Sequence, residues 1–344
     1  MNVIEKDAIE IFDSDLPWDL FKNCTFLISG ANGLLPSYII ESILILNTLR
    51  NYNIKIIALV RNKEKSNRRF FRYLNRKDLV IIEKDVCESY EITEKIDYVI
   101  HAASNADPQS FLKDPLGTIK SNTIGTINLL EVAKKYNSRC FFYFSSGEVY
   151  GNVFDKNAYK IKENEYGIVD HTNIRNCYAE AKRMGEAICL SYHYQFKIPV
   201  SIVRPSHTYG PGIDLNDSRA FASFVNNVIQ EKNIILNSDG SAKRSYLYLK
   251  DATLAYFTII LKGNKFGIYN VGNEYEISIL DLANTIIKAS GKRGLKVEYS
   301  KDCKKNSSPS RNGLLCIDNL KSLGWKPTTT ELEGFKRTIN FLNE

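Results

Sequence analysis

Histidine is scarce in this sequence. There are four in 344 residues, at His101, His171, His193 and His207, and no two have metal-ligand spacing. A histidine-built metal centre is therefore not expected. The seven cysteines (Cys24, Cys87, Cys140, Cys177, Cys189, Cys303, Cys316) are odd in number and form no C-x-x-C pair. Several sit in apolar runs and read as reduced core residues, not a disulfide framework. No apolar run approaches the length of a membrane span. The first residues, MNVIEKDAIEIFDSDLPWDL, are acidic and polar and cannot serve as a signal peptide. The expected location is the cytoplasm, with no membrane partner. Internal repeats and low-complexity tracts are also missing.

What is present is an ordinary globular composition, 44% hydrophobic and 25% charged, enough for a full core. The net charge of +7 is spread along the chain and suits a polyanionic small substrate. Its densest basic run, Arg61–Arg76 (RNKEKSNRRFFRYLNR), could suggest nucleic acid. A solvated loop and helix accounts for it better, so no nucleic-acid partner is expected.

Short apolar runs alternate with helix-length segments over the first two-thirds. Strands are expected at Cys24–Ser29, Ile54–Val60, Leu79–Glu83, Ile96–His101, Arg139–Phe144 and Ile198–Arg204. Helices are expected at Leu34–Arg50, Pro115–Tyr136 and Cys177–Phe196. Continuously apolar strands separated by helices imply an α/β, doubly wound parallel sheet of Rossmann type. After Pro205 the rhythm breaks, with a helix near Phe221–Gln230 and a last one near Glu331–Leu342. We expect a dinucleotide-binding domain over 1–204 and a smaller, partly interleaved substrate-binding lobe over 205–344.

Ser29–Pro36 reads SGANGLLP. Gly30 and Gly33 follow a buried strand and open a helix, where backbone N–H groups can meet a pyrophosphate. Pro36 breaks the third glycine position of G-x-x-G-x-x-G, and proline is tolerated in a first helical turn. No acid occupies Ala58–Lys63 (ALVRNK), the place where an NAD site holds the ribose 2′-OH. Arg61 stands there instead, with Lys63 close by, and a guanidinium suits a 2′-phosphate. NADP(H) is the expected cofactor, with NAD as the alternative. Asp85, after the third strand, is placed to accept from an adenine amino group. Ala102 and Ala103, after the fourth, let the cofactor lie close to the backbone.

Tyr178 and Lys182 are four residues apart, on one helix face. An ammonium there stabilises phenolate and draws the tyrosine pKa toward neutrality, making Tyr178 a proton donor or acceptor. Ser145–Gly151 (SSGEVYG) lies at the end of the fifth strand, and Ser146 would hydrogen-bond the reacting oxygen.

With these motifs the chain resembles extended short-chain dehydrogenase/reductases acting on nucleotide sugars, the epimerase/dehydratase group. The resemblance runs from about Thr25 to Phe341. It also includes NTIGTINLLE (Asn122–Glu131), RPSHTYGPG (Arg204–Gly212), LNDSR (Leu215–Arg219), SDGSAKRSYLYLKD (Ser238–Asp251), YNVGN (Tyr269–Asn273) and LGWKP (Leu323–Pro327). Cys177–Ala283 looks most like UDP-glucuronate decarboxylases. The resemblance implies that Asn32, Leu34, Val86, Ser104, Asn122 and Pro205 join the cofactor site. It also implies that Arg219 and Arg244 meet the substrate's pyrophosphate or sugar. His207 stands where relatives carry Asn. It further implies a homodimer built on Pro115–Tyr136 and Cys177–Phe196.

The 4,6-dehydratases of this family carry Thr-Asp-Glu across the positions of Ser146-Gly147-Glu148. Their Asp protonates the departing C6 hydroxyl and their Glu takes the C5 proton; decarboxylases carry Thr-Ser-Glu. Gly147 can do neither job, and a lost general acid costs ~10²–10⁴ in rate. Glu148 remains, to hold a sugar hydroxyl or act as a base. Ser146, Tyr178, Lys182 and a nicotinamide suffice to reduce a ketone. The expected activity is NADPH-dependent reduction of a nucleotide-linked 4-keto-6-deoxy sugar, dTDP-4-keto-6-deoxyglucose to a dTDP-6-deoxyhexose such as dTDP-fucose, for surface polysaccharide such as O-antigen. The alternatives are an NAD-dependent 4,6-dehydratase, decarboxylase or 4-epimerase, and a non-catalytic dinucleotide-sensing protein on the same fold.

Overall fold

The computed structural model describes residues 1–89, 91–153, 160–304 and 314–344. Seven parallel strands form its central sheet: β1 (Thr25–Ser29), β2 (Lys55–Val60), β3 (Leu79–Glu83), β4 (Tyr98–His101), β5 (Cys140–Phe144), β6 (Val200–Pro205) and β7 (Phe266–Val271). Their spatial order is β7-β6-β5-β4-β1-β2-β3. The inner strands are continuously apolar because helices cover both faces; all five residues of β5, for example, are buried. The chain reverses direction across the sheet between β1 and β4. In such sheets a ligand crevice opens at that switch point, beyond the carboxyl ends of the strands. Register places Ser29 opposite both Leu59 and His101, so these strand ends finish level.

Helices follow the strands. α1 (Val3–Phe12) precedes the sheet, and α2 (Leu34–Arg50) follows β1. α3 (Lys63–Arg69) follows β2, so the basic run folds as a loop and helix. α4 (Pro108–Lys113) and α5 (Pro115–Tyr136) lie between β4 and β5, and α6 (Cys177–Phe196) leads into β6. The expected ends of α2, α5 and α6 are those observed, and all three stop at a residue in the left-handed region (Asn51, Asn137, Lys197). α5 and α6 pack closely enough that a side chain at Gly185 would strike the Tyr143 hydroxyl and the Asn122 carbonyl.

The acidic N-terminus is not a loop. Asn2 and Glu5 form a reciprocal capping box that starts α1, whose apolar face is buried. Asp7, fully buried on that helix, accepts from the hydroxyls of Tyr38 and Tyr248 and pairs with Arg337.

Past β6 the chain builds a separate apolar cluster from α7 (Ala220–Ile229), α9 (Ile279–Ser290) and α10 (Glu331–Asn343). Between α7 and α9, α8 (Leu249–Lys262) and β7 return to the sheet and join the main core. Two short strands, His207–Tyr209 and Tyr246–Tyr248, pair in parallel with His207 opposite Tyr246. Among the described residues no helix is long and apolar enough to cross a membrane, and no group of His, Cys, Asp or Glu is arranged to hold a metal. Six cysteines are free; the side chain of Cys303 lies outside the described residues.

Candidate active site

Parallel strands bring most of the expected residues to one edge of the sheet. Gly30, Asn32, Gly33 and Leu34 follow β1; Arg61 follows β2; Asp85 and Val86 follow β3; Ala102, Ala103 and Ser104 follow β4; Ser146 and Glu148 follow β5; Pro205 ends β6. Asn122 reaches the same edge from α5, where its amide donates to Ser104 Oγ at 2.8 Å and its carbonyl oxygen accepts from the Tyr143 hydroxyl at 3.2 Å.

The glycine turn fits a dinucleotide. Gly30 has a positive φ of 64°, and a Cβ there would come within 2.8 Å of the Ala102–Ala103 backbone. Glycine alone lets the turn cross so close to β4. Gly33 is the N-cap of α2 and brings no side chain to cap it, which leaves the first-turn N–H groups presented to an anion. Pro36 sits in that first turn without breaking the helix. Nearby, the buried His101 ring bonds Ser29 Oγ at 2.8 Å and the Ser121 carbonyl at 3.1 Å, tying β1, β4 and α5 together. Burial, with Lys182 nearby, lowers its pKa to about 3, so the ring stays neutral.

The exposed Arg61 guanidinium donates to Asn105 Oδ1 at 3.2 Å, whereas the Lys63 N–H caps onto Glu83 as α3 begins. One Asp85 oxygen accepts from the Cys87 N–H in its own turn.

Ser146 starts the short 3-10 turn Gly147–Tyr150, and its Oγ accepts from the Glu148 N–H at 3.2 Å. The same hydroxyl stands beside the Tyr178 phenol, at the first turn of α6, close enough to lower its pKa. Phe111, from α4, stacks on the Tyr178 ring at 5.3 Å and 12°. Lys182 lies one turn along α6, 5.8 Å from the Tyr178 ring centre and 5.0 Å from that of Tyr143, and its ammonium donates to the Phe144 carbonyl.

This geometry corrects one expectation. The ammonium does not draw the phenol toward neutrality; burial outweighs every other influence and pushes the Tyr178 pKa up to about 12. Ser146 and Arg219 oppose the rise, and Glu148 adds to it. Burial also brings Lys182 down to about 7, with Glu186 opposing. Tyr178 therefore carries its proton at neutral pH in this arrangement.

Behind this group lies a network centred on Glu186, one turn beyond Lys182 on α6. Glu186 accepts from the Ser145 hydroxyl and forms a two-point pair with Arg204, at 2.9 and 2.6 Å. Arg204 also donates to the Tyr150 hydroxyl and the Glu163 carbonyl, each at 2.9 Å. One carboxylate thus joins α6, the end of β5 and the end of β6.

Just past β6, His207 lies against the Tyr246 ring at 5.6 Å. Burial lowers its pKa to about 4, and the nearby Arg219 and Arg244 charges push the same way. Both arginines therefore stand near His207. Arg219 is paired with Asp217 and lies over Phe221, and Arg244 donates to the Lys243 carbonyl at 2.7 Å.

Comparison with known proteins gives the same picture. A model described as the NAD dependent epimerase/dehydratase family matches residues 26–272. UDP-glucuronic acid decarboxylase 3 of Arabidopsis thaliana is 28% identical over 316 residues, 91% of this chain and 87% of that protein. UDP-glucuronic acid decarboxylase 1 of Xenopus tropicalis is 27% identical over 318 residues, 92% of this chain and 72% of that protein. Among solved structures, UDP-glucuronic acid 4-epimerase from Bacillus cereus, in complex with UDP-glucuronic acid and NAD, shares the fold. It has a TM-score of 0.78 and 21% identity, covering 93% of this chain and 99% of that one.

Proposed function

The chain belongs to the NAD dependent epimerase/dehydratase family, a group of extended short-chain dehydrogenase/reductase enzymes, and from that membership we propose that it transfers hydride at C4 of a nucleotide-linked hexose. The observation that carries this reading is the trio at the end of β5: the half-buried Ser146 beside the buried Tyr178, with the buried Lys182 one helical turn on. When bound, the nicotinamide supplies or accepts the hydride. Ser146 holds the reacting oxygen, and Tyr178 gives or takes its proton. Lys182, its pKa lowered to about 7 by burial, stands one helical turn from that exchange. Arg219 and Arg244 hold the diphosphate. The likeness to decarboxylases supports a cycle that opens by oxidising C4 and closes by reducing it.

A second reading, net reduction of a 4-keto-6-deoxy sugar such as dTDP-4-keto-6-deoxyglucose by NADPH, is favoured by two observations. Gly147 has no backbone need to be glycine: its φ lies outside the left-handed region, and a Cβ there would meet nothing nearer than 3.6 Å. What the position lacks is therefore chemical: a proton donor for eliminating water. Arg61, with no acid beside it, supports NADP(H).

Incubation with dTDP-4-keto-6-deoxyglucose, UDP-glucuronate or dTDP-glucose separates the two. Consumption of NADPH with the keto sugar supports net reduction. Turnover of either of the other two without added cofactor supports the internal cycle. No turnover of any nucleotide sugar in either format would remove both. For the cofactor, Arg61→Ala is expected to weaken NADPH ~10-fold or more while leaving NADH nearly unchanged, since a charged, bidentate phosphate contact is lost. Equal weakening in a binding titration would remove the case for NADP.

We also propose a homodimer through α5 and α6. Their outer faces leave Ile124, Ile127, Met184 and Leu190 at 40–53% exposure and Leu116 and Tyr194 still more exposed. Leu190→Asp should convert a dimer to a monomer in light scattering. A monomeric wild type would end the idea.

A further inference from the structure

We propose that Gly147 and Leu315 form an apolar wall that selects the substituent next to the reacting carbon: methyl over hydroxymethyl, and either over carboxylate. The inference rests on the reading that C4 of a nucleotide-linked hexose reacts at Ser146 and Tyr178, with C6 on the Gly147 side. It names the substrate class as a 6-deoxyhexose, in its alcohol or 4-keto form, and gives Leu315 a specificity role.

The argument begins from position. Gly147 immediately follows Ser146, which stands beside the Tyr178 phenol. A ring substituent one carbon from the reacting centre on this side therefore meets residue 147 and whatever that residue faces. Beyond its chain neighbours, a side chain growing from Gly147 would start 3.6 Å from the Pro205 carbonyl oxygen and 3.8 and 4.0 Å from the two Leu315 methyls. No hydrogen-bond donor is among these atoms.

Leu315 is fixed in that place. Leu314–Leu315 pairs in parallel with Lys160–Ile161, and Leu315 is 4% exposed in a cluster with Val149, Tyr150 and Ile161. The wall is therefore supplied by a segment almost 170 residues from Gly147 in the chain, and it does not depend on a mobile side chain. The nearby hydroxyl of Ser206, which has no partner, faces Gly272.

Chemistry then ranks the substituents. A methyl packs against Leu315 without losing a hydrogen bond. A hydroxymethyl gives up part of its hydration and finds one acceptor, the Pro205 carbonyl. A carboxylate loses most, since at the wall it meets two methyls and a carbonyl oxygen of like partial charge, while of the charges near Tyr178 Arg219 offsets Glu148. The uronate handled by the decarboxylase relatives is thus the poorest fit.

The test uses the full-length enzyme with NADP⁺ present and three UDP-hexoses that differ only at C6: UDP-6-deoxyglucose, UDP-glucose and UDP-glucuronate. The dTDP counterparts are run beside them, and free UDP and dTDP serve as references. Apolar pockets discriminate a single added hydroxyl only modestly, so the 6-deoxy sugar is expected to bind ~10-fold tighter than the hydroxymethyl one and ~100-fold or more tighter than the uronate. Leu315→Asn should bring methyl and hydroxymethyl within about threefold of each other while the affinity for free nucleotide, which the wall does not touch, stays put. Gly147→Ser, whose Cβ has room, should move the ratio the same way. Uronate binding as tight as the 6-deoxy sugar, or ratios unmoved in both variants, would overturn the wall. If no nucleotide hexose bound better than its free nucleotide, the parent reading would fall and take the wall with it; a ratio that fails while all three bind removes the wall alone.

Discussion

Tyr178→Phe is expected to lower turnover of the nucleotide-sugar substrate ~10³-fold, the usual loss when a positioned proton donor is removed. NADP(H) affinity should stay within about twofold, because the phenyl ring keeps its stack on Phe111 and its place on α6. Lys182→Met should lose activity to a similar degree but differ in stability. Lys182 is 3% exposed, and its pKa is depressed to about 7 from 10.5. Below about 7 both the folded and unfolded states carry the charge, and the folded state bears the full cost of burying it. As the pH climbs from about 7 toward 10.5 the unfolded chain holds the extra proton, so wild-type stability rises with pH from this group. Methionine removes the cost, and Lys182→Met should be more stable than wild type by ~2 kcal/mol at pH 6, the gain fading toward pH 10. Urea unfolding at several pH values, beside steady-state rates, reads both. A Tyr178→Phe enzyme within tenfold of wild type would dismiss the phenol as proton donor. A Lys182→Met protein less stable than wild type at pH 6 would show that the hydrogen bond to Phe144 outweighs the burial.

Much of the fold was legible because the sheet is buried on both faces. A run such as Cys140–Phe144 has no polar alternation to misread, and the asparagines closing α2 and α5 mark ends that local chemistry dictates. The same physics hid other elements. β7 mixes Gly267 and Asn270 into its run, and its identity as a strand comes from pairing with β6. α1 carried a readable capping box in Asn2 and Glu5, but its acidic composition drew attention to what the segment was not.

The site divides in the same way. Gly30, Ser146, Tyr178 and Lys182 sit in short motifs whose spacing carries the chemistry, so they could be found from the sequence. Phe111 and Leu315 could not, since each acts on the motif residues through a contact made across the fold; Glu186 repeats the four-residue spacing of Tyr178 and Lys182, but its pairing with Ser145 and Arg204 is visible only in the fold. The direction of the Tyr178 shift was out of reach for a related reason. Spacing says that an ammonium is near, but only burial says which influence wins.

Arg204→Met is expected to destabilise the protein by ~3–5 kcal/mol, since it strands a buried carboxylate. Arg204 and Glu186 are 6% and 12% exposed as side chains and meet at two points. Removing the guanidinium leaves Glu186 with the Ser145 hydroxyl as its remaining close partner, and it costs the Tyr150 hydroxyl and the Glu163 carbonyl a donor each. The melting temperature should fall by ~5–10 °C. Glu186→Met combined with Arg204→Met should recover at least ~1 kcal/mol of that loss, because an apolar pair no longer buries an unmatched charge. Stability and turnover should then part company. The double variant still lacks the carboxylate that fixes Ser145 next to the catalytic Ser146, and that counters the loss of charge on Lys182. Its rate should therefore stay ~10-fold or more below wild type, within the range of misplaced catalytic groups. A double variant that recovers both stability and rate would reduce the network to packing. One that recovers neither would mean that the ion pair itself, rather than the stranded charge, holds these three elements together.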